Sequence, residues 1–184
     1  MAIEQPKRAW SYDDLFDLPE DGRRYEIIAG VLYEMPAPNR AHARLIMNLI
    51  LYVFGPVIDG IGAHIYTAPV DVFMADADPV QPDLLLLLSD QLDLESKRGI
   101  EGAPALVVEV LSPGNPEHDR ITKRALYARG GVREYWLVSP EAGIVEILVL
   151  DGDRYRTHAR IGGDESLTST VLPELHNPVA NVFR

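Results

Sequence analysis

The run Leu106-Val107-Val108-Glu109-Val110-Leu111 constrains this chain more than any other stretch. Consecutive β-branched and aliphatic residues predict a strand covered on both faces, because a half-buried strand alternates apolar with polar positions. Glu109 breaks the run. A lone carboxylate in a dry sheet costs several kcal/mol unless it is protonated, paired or bound to a cation. A second acid, Asp83, follows Pro82 at the mouth of another apolar stretch, Leu84 to Leu88. If the two strands are neighbours, their carboxylates converge. Two oxygens from two strands, completed by water and phosphate oxygens, are a common way of holding Mg²⁺.

The rest of the chain reads as a frame for these strands. Ser11-Tyr-Asp-Asp14 resembles a capping box opening a short helix. Arg24 to Ile28 and Val31 to Met35 read as a hairpin turned at Gly30, with Glu26 on its first strand. Pro36-Ala-Pro38-Asn39 is a loop, and Asn39 caps an amphipathic helix over about Arg40 to Ile58 that carries His42 in its first turn. Ala63 to Met74 reads as two strand pieces at a bulge or edge around Pro69, and Asp76-Ala-Asp78-Pro79 as a turn. Ser89 to Pro104 is a loop with one helical turn near Asp90 to Leu94. After the Glu109 strand, Ser112-Pro113-Gly114-Asn115-Pro116 makes a rigid exit into a helix from about Glu117 to Arg129, ended by Gly130-Gly131. On that helix Ile121, Ala125, Leu126 and Ala128 are expected to face the core, with Asp119, Lys123 and Tyr127 on another face. Glu134 to Val138 completes a strand–helix–strand unit with parallel strands. Ile144–Leu150 and Arg154–Ile161 form a hairpin at Asp151-Gly152, and the segment from Val171 to Phe183 supplies a short strand and closing turn.

Length and composition limit what such a frame can do. At 184 residues with 47% apolar content, the expectation is a single domain, residues 1–184, with a real core. The absence of cysteine excludes disulfides, thiolate zinc sites and cysteine nucleophiles. The five histidines show no zinc-like pairing. No signal peptide is evident, and no apolar run approaches the ~20 residues that span a bilayer, so a cytoplasmic protein with no membrane partner is expected. The net charge of −11 argues against a broad basic surface for nucleic acid. Yet from Glu117 to Trp136 five basic residues face three acidic ones, making that stretch +2 and the remainder −13.

Glu26, Asp83 and Glu109 thus sit on three predicted strands, and Lys123 on the helix after Glu109. The chemistry matches metal-assisted phosphodiester hydrolysis, in which carboxylates hold Mg²⁺ and an ammonium orients water or stabilises charge. Each residue has a plainer alternative. Asp83 could be a turn residue at a strand entry. Glu109 could form a structural ion pair with Arg120, Lys123 or Arg124, and Glu26 could be solvated or paired. Lys123 could pair with Asp119 four residues earlier. His42 could be only a helix-terminal histidine, and Tyr135 and Trp136 are expected to pack in the core rather than stack on bases.

Taken in order, Tyr25-Glu26-Ile-Ile-Ala-Gly30, Ala41-His42, Gln81-Pro82-Asp83, Val107-Val108-Glu109-Val110-Leu111-Ser112-Pro113 and Asp119-x3-Lys123-x3-Tyr127-x3-Gly131-Val132-x-Glu134-Tyr135-Trp136-x-Val138-x-Pro140 carry a resemblance. The chain resembles the Uma-two family of restriction-endonuclease-like proteins from about residue 12 to the C-terminal Leu172-Pro173 and Pro178 to Phe183. That family is similar to the PD-(D/E)xK nucleases. The resemblance implies an α/β (α+β) fold, a restriction endonuclease-like mixed β-sheet flanked by helices. It implies that Pro82-Asp83 is the "PD", that Glu109 is the acid of "(D/E)xK", and that Glu26 is an additional acid. Leu111 stands where that motif has lysine, so Lys123 of the following helix takes the cationic role; Ser139 stands where an aspartate usually precedes the Pro140 turn.

The expected function is a Mg²⁺- or Mn²⁺-dependent DNA endonuclease with metal ligands Glu26, Asp83 and Glu109. A homodimer is one arrangement that would cut both strands. The alternatives are a catalytically silent nuclease fold kept for binding or assembly, which the acidic charge favours, and a structural homo-oligomer.

Overall fold

The computed structural model describes residues 8–19, 23–35, 39–74, 78–112 and 117–184. The loop expected at Pro36 to Pro38, Asp76 and Ala77 of the expected turn and the Pro113 to Pro116 exit lie outside them. At the centre is a six-stranded sheet whose strands lie in the order Arg154–Gly162, Ile144–Asp151, Glu134–Ser139, Leu106–Val110, Leu84–Leu87 and His64–Thr67. Its strands are β3 (His64–Thr67), β4 (Leu84–Leu87), β7 (Leu106–Val110), β8 (Glu134–Ser139), β9 (Ile144–Asp151) and β10 (Arg154–Gly162). Between β4 and β7 lie a 3₁₀ turn, Ser89–Leu94, and a small hairpin of β5 (Glu95–Ser96) and β6 (Gly99–Ile100). Only β7 and β8 run parallel, joined by the helical segment that the strand–helix–strand reading requires; every other pair is antiparallel. The fold is therefore a mixed sheet flanked by helices, as expected.

Both faces of this sheet are covered, which is why β4 and β7 are continuous runs of buried residues. Leu84, Leu86, Leu106, Val108 and Trp136 point to one side, toward Leu49, Val53 and Phe54 of the long helix and Leu172, Leu175 and Val179 of the C-terminal segment. Leu85, Val107, Tyr135 and Leu137 point to the other, toward Ile28, Leu126 and Tyr127. That second side also carries the hairpin of β1 (Arg24–Ile28) and β2 (Val31–Met35). The hairpin's two-residue loop puts Ala29 at φ 53° and Gly30 at φ 75°, the left-handed pair that matches strand twist. A β-carbon on Gly30 would stand 2.7 Å from that of Ala9, so glycine is also required by the approach of the N-terminal segment.

The long helix runs from α1 (Arg40–Asn48) through a π-helical stretch, Leu49–Phe54, into α2 (Gly55–Ile58) and ends at Ile61. Asn39 caps it, its Oδ1 accepting the His42 amide at 2.9 Å. Pro56 has no amide to offer the Tyr52 carbonyl one turn back, and Asn177 Nδ2 donates there instead at 2.7 Å. At 22 residues this helix is long and apolar enough, by length and composition, to cross a membrane, which corrects the expectation that no run approaches that length. Its face bearing Leu45, Ile46, Leu49, Val53 and Phe54 lies on the sheet.

The second helical segment departs from its expected orientation. A π-helical stretch, His118–Lys123, leads into α3 (Arg124–Gly130), and its buried residues are His118, Asp119, Lys123, Leu126, Tyr127 and Ala128. Ile121 is 64% exposed and Ala125 is also exposed, so the polar line faces inward and part of the apolar line faces solvent. In the π-helical stretch the Arg124 amide donates to the Asp119 carbonyl five residues back. The wider turn places both His118 and Asp119 on the side of Lys123.

One buried acid serves the frame. Glu134 is fully buried and accepts from Trp136 Nε1 at 2.7 Å, the Thr170 amide at 2.7 Å, Thr170 Oγ1 at 2.6 Å and the Val171 amide at 3.3 Å. It pins the C-terminal segment to β8 through neutral donors. Glu134→Ala should cost about 3 kcal/mol or more in urea unfolding with an unchanged m value, because several buried donors lose their acceptor. Glu134→Gln, which keeps one acceptor oxygen, should cost less.

Candidate active site

Leu84 pairs with Val108 across the antiparallel β4 and β7 ladder, so the next residues outward, Asp83 and Glu109, stand opposite each other on one face. Two carboxylates facing across a ladder repel, and burial makes the repulsion worse. Lys123 meets this demand. Its Nζ lies 2.9 Å from Glu109 Oε1 and 3.4 Å from Glu26 Oε2, and the side chain is 2% exposed. Tyr127, one turn later, donates to the same Glu109 oxygen at 2.7 Å. Thus three carboxylates from three strands and one helix-borne ammonium come together, and the four residues predicted from sequence share one cavity.

Each acid is also oriented from a second side. Asp83 Oδ2 accepts the Val110 amide at 2.9 Å and lies 2.9 Å from His42 Nε2. Glu26 Oε1 accepts the Gln81 amide at 3.3 Å, and its Oε2 lies 3.3 Å from His118 Nε2. His42, read from sequence as helix-terminal, is therefore also a partner of Asp83. His118 and Tyr127 had no assigned role; the spacing by four of Asp119, Lys123 and Tyr127 was the signal that could have found the tyrosine. The structural pairing considered for Glu109 exists with Lys123. Tyr135 and Trp136 are fully buried in the core, as expected.

The electrostatics follow from four carboxyl groups surrounding one lysine. Burial alone would raise Glu26 and Asp83, but Lys123 and His118 hold the first below its ordinary value, and His42 and Lys123 do the same for the second. Glu109 goes the other way: burial, with Asp83, Asp119 and Glu26 nearby, pushes it well above the ordinary range despite Lys123. Burial also raises Asp119 from 3.8 to about 6. Lys123 would lose charge on burial, but the surrounding acids hold its proton firmly. The site carries more acid than its lysine neutralises.

The donor set is all hard oxygen, which suits Mg²⁺ or Mn²⁺ by chemistry, and the surplus negative charge calls for a further cation. In the positions found, Lys123, His42 and His118 together take one oxygen of each carboxylate: Glu109 Oε1, Asp83 Oδ2 and Glu26 Oε2. Among the described residues no three acids or histidines are gathered as a bound metal ion demands. The cavity, of about 50 Å³, has room for a few waters and is lined also by Arg24, Tyr25, Met35, Gln81 and Ser112.

A mixed sheet with clustered acids at the ends of two central strands is the arrangement of a nuclease-like fold. The profile of the Uma2 family, the Uma-two family of the resemblance, described as "Putative restriction endonuclease", matches residues 12–180. The chain belongs to that family. It is also similar to the crystal structure at 1.96 Å of a "putative nuclease belonging to DUF820" from Anabaena variabilis ATCC 29413. The two superpose with a TM-score of 0.75 at 19% identity, over 95% of this chain and 97% of that one, a likeness of fold. No curated protein matches the chain. The chain is therefore a restriction-endonuclease-like protein.

Two variants test the charge balance. Asp119 binds its proton more tightly folded than unfolded, so stability falls as pH rises from about 4 to about 6. Asp119→Asn should remove that slope and melt higher than wild type at pH 7, with the gap closing by pH 4. Lys123→Met should do the reverse, costing about 3 kcal/mol or more at pH 7 because it strands buried carboxylates. Its deficit should shrink as acid protonates them.

Proposed function

We propose that this protein is an endonuclease that hydrolyses DNA phosphodiester bonds using Mg²⁺ or Mn²⁺, with Asp83, Glu109 and Glu26 as the metal ligands. The observation that carries the reading is the surplus of buried carboxylate around Lys123, built by two facing strands and a third acid from the hairpin. A bound divalent cation would polarise the phosphate and lower the pKa of an attacking water. The chain's own groups do the rest. The Val110 amide and His42 fix the orientation of Asp83, and the Gln81 amide and His118 fix that of Glu26. Lys123, held by Glu109, presents a persistent ammonium that orients water or offsets charge on a phosphoryl oxygen. Tyr127 keeps the Glu109 carboxylate turned into the cavity while holding its own proton, since burial raises its hydroxyl well above the ordinary value.

A second reading, a catalytically silent nuclease fold used for binding or assembly, is favoured by the net charge of −11 and by the lysine-filled carboxylate cluster. Calorimetric titration of Mn²⁺ separates the two. Wild type should bind, and Glu109→Gln should lose binding with an unchanged circular dichroism spectrum. Affinity should strengthen as pH rises, because Glu109 gives up a firmly held proton on binding. Hydrolysis of plasmid DNA should stop in the same variant. Equal high-affinity binding by both proteins would reject the ligand assignment, and a salt-dependent DNA complex formed without metal or cleavage would favour the silent fold.

A further inference from the structure

A second hollow adjoins the cavity that holds the acids at Asp83. It is wider, about 270 Å³, and shares Arg24, His42 and Asp83 with that cavity. Among the described residues its other walls are nearly all apolar: Ala43, Ile46, Met47 and Ile50 from α1 and the helical turn after it, with Thr67 and Ala68 at the end of β3. Met47 is 50% exposed although Ile46 and Asn48 on either side of it are buried. An open apolar floor therefore adjoins the acids, with Arg24 and the His42 ring between the two.

This surface is ill suited to gripping an intact duplex. Backbone affinity for duplex comes from several lysines or arginines on phosphates, and among the described residues lining the hollow Arg24 is the only lysine or arginine. A base offers its apolar face only when it is unpaired and unstacked. The hollow is smaller than the roughly 300–1,000 Å³ of pockets for drug-sized ligands, a size that suits one planar heterocycle. Because the hollow shares Arg24, His42 and Asp83 with the acid-lined cavity, a ring held in it would lie beside a phosphate at Asp83.

We propose that the hollow between α1 and the end of β3 receives an unpaired nucleobase next to the scissile phosphate, so that the substrate is single-stranded or locally opened nucleic acid. The inference rests on the nuclease reading above. Met47 lays its polarisable thioether on the base face, Ile46 and Ile50 form the floor, and Thr67 offers a hydroxyl to a base edge. Arg24 remains for the phosphate on the rim.

The test is fluorescence anisotropy in Ca²⁺ buffer with a labelled mixed-sequence oligonucleotide, alone or annealed to its complement. The single strand should bind about tenfold tighter than the duplex. Met47→Gln, which removes apolar surface without adding charge, should weaken the single strand about threefold, and Met47→Trp should tighten it. Circular dichroism and Mn²⁺ titration should be unchanged in both variants. Equal or tighter binding of duplex, or indifference to both substitutions, overturns the inference and leaves the metal site standing. So does wild type that binds Mn²⁺ but neither oligonucleotide. A change of mass in light scattering for Met47→Gln with unaltered oligonucleotide binding would make the hollow an interface between copies instead. Failure of wild type to bind Mn²⁺ or to cleave any strand would remove the nuclease reading itself.

Discussion

A single ammonium group, Lys123 Nζ, sits among carboxylates that could not otherwise share the space. Asp83 and Glu109 face each other across a ladder, Glu26 reaches in from the hairpin, and Asp119 lies on the same helical stretch as the lysine. Like charges at this separation in a poorly solvated site would oppose the pairing of β4 with β7 and the docking of the hairpin. The lysine makes both tolerable, and in doing so it ties three strands and a helix to one point. Strand pairing, hairpin docking and helix orientation thus depend on the same few atoms, with Glu109 left as the acid least able to ionise.

The backbone around this point is irregular where it needs to be. A regular α-helix would carry either His118 or Asp119 toward Lys123; the π-helical stretch carries both. The Asp119 carbonyl in that stretch accepts the Tyr135 hydroxyl at 3.1 Å in addition to the Arg124 amide, so the widened turn is bonded to the sheet beneath it. On the opposite side of the sheet the second π-helical stretch precedes Pro56, where Asn177 makes good the missing amide bond. Both irregular stretches are held by side chains distant in sequence, and the first aims charged groups inward.

An acidic chain in a nuclease family poses a problem that the geometry answers locally. The net charge works against general attraction to phosphate, while the cavity at Asp83 gathers carboxylate oxygens, an ammonium and a nearby arginine. The open apolar floor at Met47 lies next to these acids.

Local pattern determined much of this protein. Apolar runs named β4 and β7 as strands covered on both faces, Asp151-Gly152 named a hairpin turn, Asn39 named a helix start, and the charge inside the β7 run marked Glu109 as a residue in need of a partner. These features are legible because the physics behind them acts over a few residues. Tertiary structure alone decided who the partner is. Ile121 and Ala125 have the spacing of core residues, and only the packing of that helix against a buried acid cluster turned them to solvent and Lys123 inward. His42 and Asp83 are 41 residues apart, and nothing local relates them until α1 is laid beside β4. Pairing a buried charge is a demand that sequence can announce; which distant group meets it is settled only when the strands have found their register.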